Sequence, residues 1–224
     1  MIPIRDQIPT RHVPIVNYLL IALNVLVFIF MWLAGSNQEA LVYQFALIPA
    51  NIADGLDVGD ITDVFTSMFM HAGLLHLGGN MLYLWIFGDN VEDSMGPIKY
   101  FIFYLIGGIV ASITHILTNP MSAIPTVGAS GAIAAVLGAY LVLYPRSRVL
   151  TFIPLGFFMR LTLVPASIVL ILWFVLQLFN GVLSLGASDV GGTAFWAHIG
   201  GFVAGVVLAK LFASGHRVEP AVRW

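Results

Sequence analysis

AFWAHIGGFVAGVVLAKLF occupies Ala194–Phe212, and its reading decides the fold. A helix crosses about 30 Å of hydrocarbon with about 20 apolar residues, which this stretch supplies. Ala197, Gly201, Gly205 and Ala209 recur every fourth residue, so one helical face is nearly bare and admits another backbone at close range. Apart from Lys210 at its end, the only ionisable group is His198, close to its start. An ionisable side chain inside a membrane calls for a function by default.

Outward from this stretch, five more apolar runs complete a set of six expected spans: Pro14–Ala34, Leu74–Phe87, Ile98–Leu117, Val127–Tyr144, Leu161–Leu183 and Ala194–Phe212. The second and fourth are short. With 59% hydrophobic and 9% charged residues in 224, the chain is too apolar for a water-facing surface. The expectation is an all-α polytopic membrane protein, a single domain over 1–224. Six transmembrane helices form a compact bundle, with a long outer loop between spans 1 and 2 and short tails at about 1–13 and 213–224. The first run exceeds a signal core and leads to no cleavage pattern, so it reads as a retained span. A net charge of −2, with no Lys/Arg cluster, excludes nucleic acid as a partner. Zero cysteines exclude disulfides, thiolate metal sites and a cysteine nucleophile.

Basic residues fix the expected orientation, because Lys and Arg stay on the cytoplasmic side of short flanks. Arg5 and Arg11 precede span 1, Lys99 opens span 3, Arg146, Arg148 and Arg160 separate spans 4 and 5, and Lys210, Arg217 and Arg223 end the chain. The opposite face carries Glu39, Asp54, Asp57, Asp60, Asp63 and Asp189, so both termini are expected in the cytoplasm. Within Gly35–Gly73, the spacing of Leu41, Val42, Phe45, Ala46 and Ile48 suits a short interfacial helix. Asp54 to Asp63 reads as a wet loop, since it lacks the Asp-Asn-Gly spacing of a calcium site.

Three spans entering from the outer face carry polar groups at one depth. Span 2 opens with His76-Leu77-Gly78-Gly79-Asn80, whose His and Asn share a helical face. Span 4 opens with Gly128-Ala129-Ser130-Gly131, and span 6 with Ala197-His198-Ile199-Gly200-Gly201. Gly131, Ala134, Ala135, Gly138 and Ala139 make a bare surface on span 4 to match that on span 6, so the two helices should pack backbone to backbone and bring Ser130 to His198.

Serine attacks a carbonyl only when a base takes its proton, and imidazole titrates in the right range. Ser130 and His198 form such a pair, with no acid near to complete a triad. His76, Asn80 and the Ser130 backbone N–H are candidate donors to the oxyanion. Gly128 and Gly131 keep side chains away from the attacking oxygen. Each residue alone has a plainer reading: a serine at a helix start caps it, and an intramembrane histidine often bonds another helix. His71 reads as an interfacial residue bound to water or loop, His115 as an interhelical partner, and His12 and His216 as solvent-facing. Trp173, Phe174 and Trp196 read as packing or lipid-facing aromatics, with span 5 able to move as a side gate.

These three motifs, in order and spacing, resemble the signature set of rhomboid proteases over roughly Pro14 to Phe212. The resemblance implies an intramembrane serine endopeptidase of the minimal six-helix bacterial form, resident in the plasma membrane. It implies Ser130 as nucleophile, His198 as general base, and His76 and Asn80 as oxyanion donors. Substrates would be single-span membrane proteins cut near the outer face, with no metal or cofactor. Where some rhomboids carry a Trp-Arg pair in the first outer loop this chain has Thr62-Asp63, and where an aromatic follows the serine by four residues it has Ala134. The alternative is a catalytically silent relative that binds or escorts membrane helices. A transporter would place polar groups at midplane in an inverted repeat, and a zinc protease would need His-Glu-x-x-His; neither pattern is present.

Overall fold

The computed structural model describes residues 1–53, 55–155, 158–185 and 192–213. In chain order they form β1 (Ile2–Asp6), α1 (Ile15–Leu33), α2 (Gln38–Phe45), α3 (Pro49–Ala53), α4 (Val58–Thr66), α5 (Leu74–Met95), α6 (Pro97–Thr118), α7 (Ser130–Leu143), β2 (Arg148–Leu155), β3 (Phe158–Pro165), α8 (Ala166–Ser184) and α9 (Phe195–Phe212). α1, α6, α8 and α9 have the length and apolar composition to cross a membrane, and α7 is a shorter apolar helix. α5 has the length, but its last turns carry Asp89, Asn90, Glu92 and Asp93. Asp54, Asp189, His216, Arg217 and Arg223 lie outside the described residues.

α7 is the axis of the bundle. Every residue from Gly131 to Tyr140 is buried, as expected for a helix that is apolar all round. α9 lies against it where side chains are missing. A Cβ on Gly201 would strike the carbonyl oxygen of Gly131, one on Gly205 that of Ala135, and one on Gly138 that of Phe202. The backbone-to-backbone packing expected of these helices is therefore present.

At the end of the bundle opposite the start of α7, a buried polar knot ties α1, α5 and α6. The Glu92 carboxylate accepts from the backbone N–H of Val16 at 3.1 Å and Asn17 at 2.7 Å, satisfying donors at the start of α1 that the helix cannot. The Asn17 amide donates to the Leu84 carbonyl at 3.0 Å and accepts from the Tyr100 hydroxyl at 2.8 Å. Gly88 makes room, since a Cβ there would meet Asn17 and lie 2.7 Å from the Tyr100 hydroxyl. Gly88-Asp89-Asn90 thus continues the helix where a span end at Phe87 was expected.

The all-α expectation needs correction, because β1, β2 and β3 form an antiparallel sheet in that order. β1 belongs to the stretch read as a tail, and Leu161–Pro165, read as the start of span 5, is the end of β3. Val149 and Thr151 are fully buried while the alternate residues Leu150 and Phe152 are half-buried, the period of a strand with one face on the core. Pro165, with ψ at 135°, ends the strand, and α8 starts at the next residue. The segment from Gly35 to Gly73 also departs from its reading. α2 matches the interfacial helix in part, whereas Ala46, Leu47 and Ile48 are buried rather than helical, and Val58 to Asp63 is helix rather than wet loop. Asp57 and Asp60 exchange backbone-to-carboxylate bonds of 2.9 Å, a capping box that starts α4.

Gly201→Val should lower stability by about 2 kcal/mol or more, since the obstructing group is backbone and cannot move aside; thermal unfolding in detergent measures it. A pH dependence is expected from Asp6, whose carboxylate accepts from the Tyr140 hydroxyl at 2.6 Å. Burial raises its pKa to about 6, against the lowering effect of its hydrogen bonds. An acid whose pKa is higher folded than unfolded binds its proton more readily when folded, so its ionised form opposes folding above about pH 6 and that penalty fades as pH falls toward 4. Asp6→Asn should therefore stabilise the chain at pH 7.5 by on the order of 1 kcal/mol and lose that advantage at pH 4.5, as read by unfolding temperature.

Candidate active site

Ser130 is the first residue of α7 and His198 the fourth of α9, so the close approach of those helices delivers both side chains to one point. His198 Nε2 lies 2.7 Å from Ser130 Oγ. The other ring nitrogen, Nδ1, lies 2.8 Å from Oε1 of Gln177 on α8. An amide oxygen only accepts, so this contact is a hydrogen bond when Nδ1 carries the proton, the tautomer that leaves Nε2 as an acceptor for the serine hydroxyl. Trp173, one turn before Gln177, sets its ring 5.7 Å from the imidazole, centroid to centroid.

His76 and Asn80 from α5 line the same cavity of about 860 Å³ as Ser130, Gly128, Gly131 and His198. Gly128 separates the imidazole of His76 from the serine. A Cβ there would lie 2.8 Å from His76 Nε2 and 3.6 Å from Ser130 Oγ. Its φ of 133° is one that side-chain-bearing residues rarely adopt, and its N–H donates to the Ser67 carbonyl at 2.9 Å, fixing the entry to α7. Gly201 lies against Gly131, whose carbonyl oxygen a Cβ at 201 would strike.

Asn80 is buried, and its amide nitrogen donates to His71 Nε2 at 2.9 Å. His71 lies before α5; burial, with His76 close by, lowers its pKa to about 4 and keeps the ring neutral, as an acceptor must be. The His71 and His76 rings meet edge to face at 5.0 Å. Among the described residues, no group of three or more His, Cys, Asp or Glu side chains could hold a metal ion.

Comparison with known proteins shows the family. The Rhomboid domain model matches residues 58–215. Over 214 residues the chain is 33% identical to Rhomboid protease GluP of Bacillus subtilis (strain 168), covering 93% of this chain and 38% of that protein. The chain belongs to the rhomboid family. It is also 30% identical over 139 residues to the human Presenilin-associated rhomboid-like protein, mitochondrial, covering 61% of this chain and 35% of that one. Rhomboid protein 1, mitochondrial, of Saccharomyces cerevisiae is 33% identical over 94 residues, 40% of this chain and 27% of that one. This rhomboid thus spans well under half the length of each of these relatives, and it is an integral membrane protein.

His115, Phe174, Trp196 and His12 of this rhomboid have structural partners. His115 Nε2 lies 3.0 Å from Thr126 Oγ1, in the segment before α7 rather than on another helix. That segment also pairs with the one between α2 and α3: Leu47 and Thr126 exchange backbone bonds of 2.8 and 3.2 Å. Phe174 stacks on Phe202 at 4.6 Å, and the Trp196 ring N–H donates to the Gly181 carbonyl at 3.1 Å, so both are packing aromatics. His12 is solvent-exposed and bonds Asp93 at 2.9 Å. Sequence reading missed two contributors, Gln177 and the His71–Asn80 bond. Gln177 is legible as the one amide side chain between Ser167 and Asn180 in an apolar helix, though it stands mid-helix, away from the helix starts that carry Ser130 and His198.

Gly128→Ala should displace the His76 ring and strain the approach to α7. A shift of the His76 imidazole resonances in NMR spectra, with the unfolding temperature lowered by only a few degrees, is the expected outcome.

Proposed function

We propose that this rhomboid is an intramembrane serine endopeptidase that cuts single-span membrane proteins in or near their transmembrane segments. The observation that carries the reading is the 2.7 Å contact between His198 Nε2 and Ser130 Oγ inside a cavity large enough for a peptide segment. Nε2 removes the hydroxyl proton as Oγ bonds to the scissile carbonyl carbon, and the carbonyl π pair moves to oxygen. The protonated Nε2 then gives its proton to the leaving nitrogen as the C–N bond breaks, leaving an ester on Ser130. Water, deprotonated by the same Nε2, hydrolyses that ester and regenerates the hydroxyl.

The oxyanion would rest against His76, Asn80 and the Ser130 backbone N–H. Of the Asn80 amide hydrogens, one is engaged by His71, which orients the other. Gly128 and Gly131 leave the space in front of Ser130 open to a substrate backbone.

The same reading takes residues 1–224 as one six-span domain in a bacterial plasma membrane, with α5 and α7 crossing alongside the four long apolar helices. Charge supports its orientation. Arg5, Arg11, Lys99, Arg146, Arg148, Arg160 and Lys210 all lie at the sheet end of the bundle, and Glu39, Asp57, Asp60 and Asp63 at the end that holds Ser130. By the bias of basic residues toward the cytoplasm, the termini are cytoplasmic and the site faces outward.

Incubation of the purified chain with a panel of single-span substrates tests the proposal. Ser130→Ala and His198→Ala should abolish cleavage with the fold retained, and Asn80→Ala should lose about 10- to 100-fold in turnover. Binding without cleavage by the wild type would instead indicate the silent, helix-binding relative.

A further inference from the structure

The 2.8 Å contact between Gln177 and His198 joins the dyad to a third helix, and the electrostatics of the site explain why the partner is an amide. A serine–histidine pair needs its imidazole held in one tautomer and one plane. An ionised carboxylate does this in water-soluble enzymes, but inside a membrane an unpaired anion is strongly disfavoured. A glutamine offers the same acceptor geometry with no charge to desolvate.

We propose that Gln177 is the positioning residue of the dyad: its Oε1 accepts from His198 Nδ1–H and holds the ring in the tautomer that presents the Nε2 lone pair to Ser130. The proposal rests on the proteolytic reading above. Geometry on α8 supports it from a second side. Trp173 and Gln177 are four residues apart and so share a helical face, which presents an aromatic ring and a hydrogen-bond acceptor to the same imidazole. On the α7 side the residue four beyond the serine is Ala134, fully buried and too small to fix the ring's plane. α8 therefore supplies what α7 lacks. Among the described residues, the titratable groups that influence His198 from the helices around it are His76 on α5 and His115 on α6; neither is an acid that could take the place of Gln177.

The test combines a direct signal with kinetics on the full chain. Imidazole ¹⁵N NMR should show neutral wild-type His198 as the Nδ1–H tautomer, and Gln177→Leu should lose that signal or mix the two tautomers. With a single-span substrate, Gln177→Leu should lower kcat by about 10- to 100-fold while KM stays within about twofold. Gln177→Glu should recover most of the rate at high pH. Its acid limb should move to higher pH by about one unit, because an opposite charge beside Nδ1 favours the protonated ring. A side chain that merely fills space would not move that limb. The proposal is overturned if wild-type His198 is the Nε2–H tautomer, or if Gln177→Leu leaves both the tautomer and kcat unchanged. Failure of the proteolytic reading is seen separately, as cleavage that survives Ser130→Ala; the tautomer signal then still decides what Gln177 does.

Discussion

Gly201 meets the carbonyl of Gly131, and Gly205 that of Ala135, with no side chain between α9 and α7. Helices with ordinary side chains at the contact lie 8–10 Å apart. Removing the side chains closes that gap. It also fixes rotation, because each helix has a bare face in one direction. Ser130 and His198 stand at the ends of these faces, so the contact that packs the bundle also sets the Nε2 to Oγ distance. The small residues give dispersion contacts over a long surface, which in a membrane replaces the hydrophobic drive that water supplies elsewhere.

Polar side chains in the bundle then fall into two groups that packing tells apart. Glu92, Asn17 and Tyr100 bond one another and the start of α1 in a buried knot. Such a network fixes the relative height of three helices. Ser130, His198, His76 and Asn80 instead border a cavity, with bonding capacity left over on the side that faces it. Intramembrane polarity alone does not separate these cases, and the open side does.

The legible part of the sequence was the part where residue type, depth and period coincide. Ser130 and His198 could be paired because each opens an inward-running stretch and each is followed by small residues at helical spacing. Leu161–Pro165 could not be assigned, since an uninterrupted apolar run has no period to distinguish a buried strand from a helix. Asp57 and Asp60 were counted as charges on a wet surface, whereas their spacing is also that of a reciprocal helix cap. Gly88 follows the expected end of span 2 at Phe87. Its role emerges only when Asn17, remote in sequence, is seen to occupy the space a side chain would take. The orientation of His198 was missed because its partner comes from the middle of α8, away from the helix starts that carry the other reacting groups.

An amide in place of a carboxylate sets the character of the proposed site. When Nε2 takes the serine proton, the ring becomes a cation that an acid would stabilise by full charge and a carbonyl dipole stabilises by less. The chain avoids the larger penalty of holding an anion in hydrocarbon when no proton is being transferred. A weaker stabilisation of the imidazolium keeps the proton available to the leaving nitrogen, so acylation loses driving force in its first half and regains part of it in its second. What the dyad then lacks in charge it must find in placement, and placement here depends on three helices: α7 for the hydroxyl, α9 for the imidazole and α8 for its tautomer and plane. α8 is also the least enclosed of the three, with only Ala166, Val169, Leu170 and Gly181 buried along its length. On this proposal the base is oriented from the least enclosed of the three helices that place the dyad.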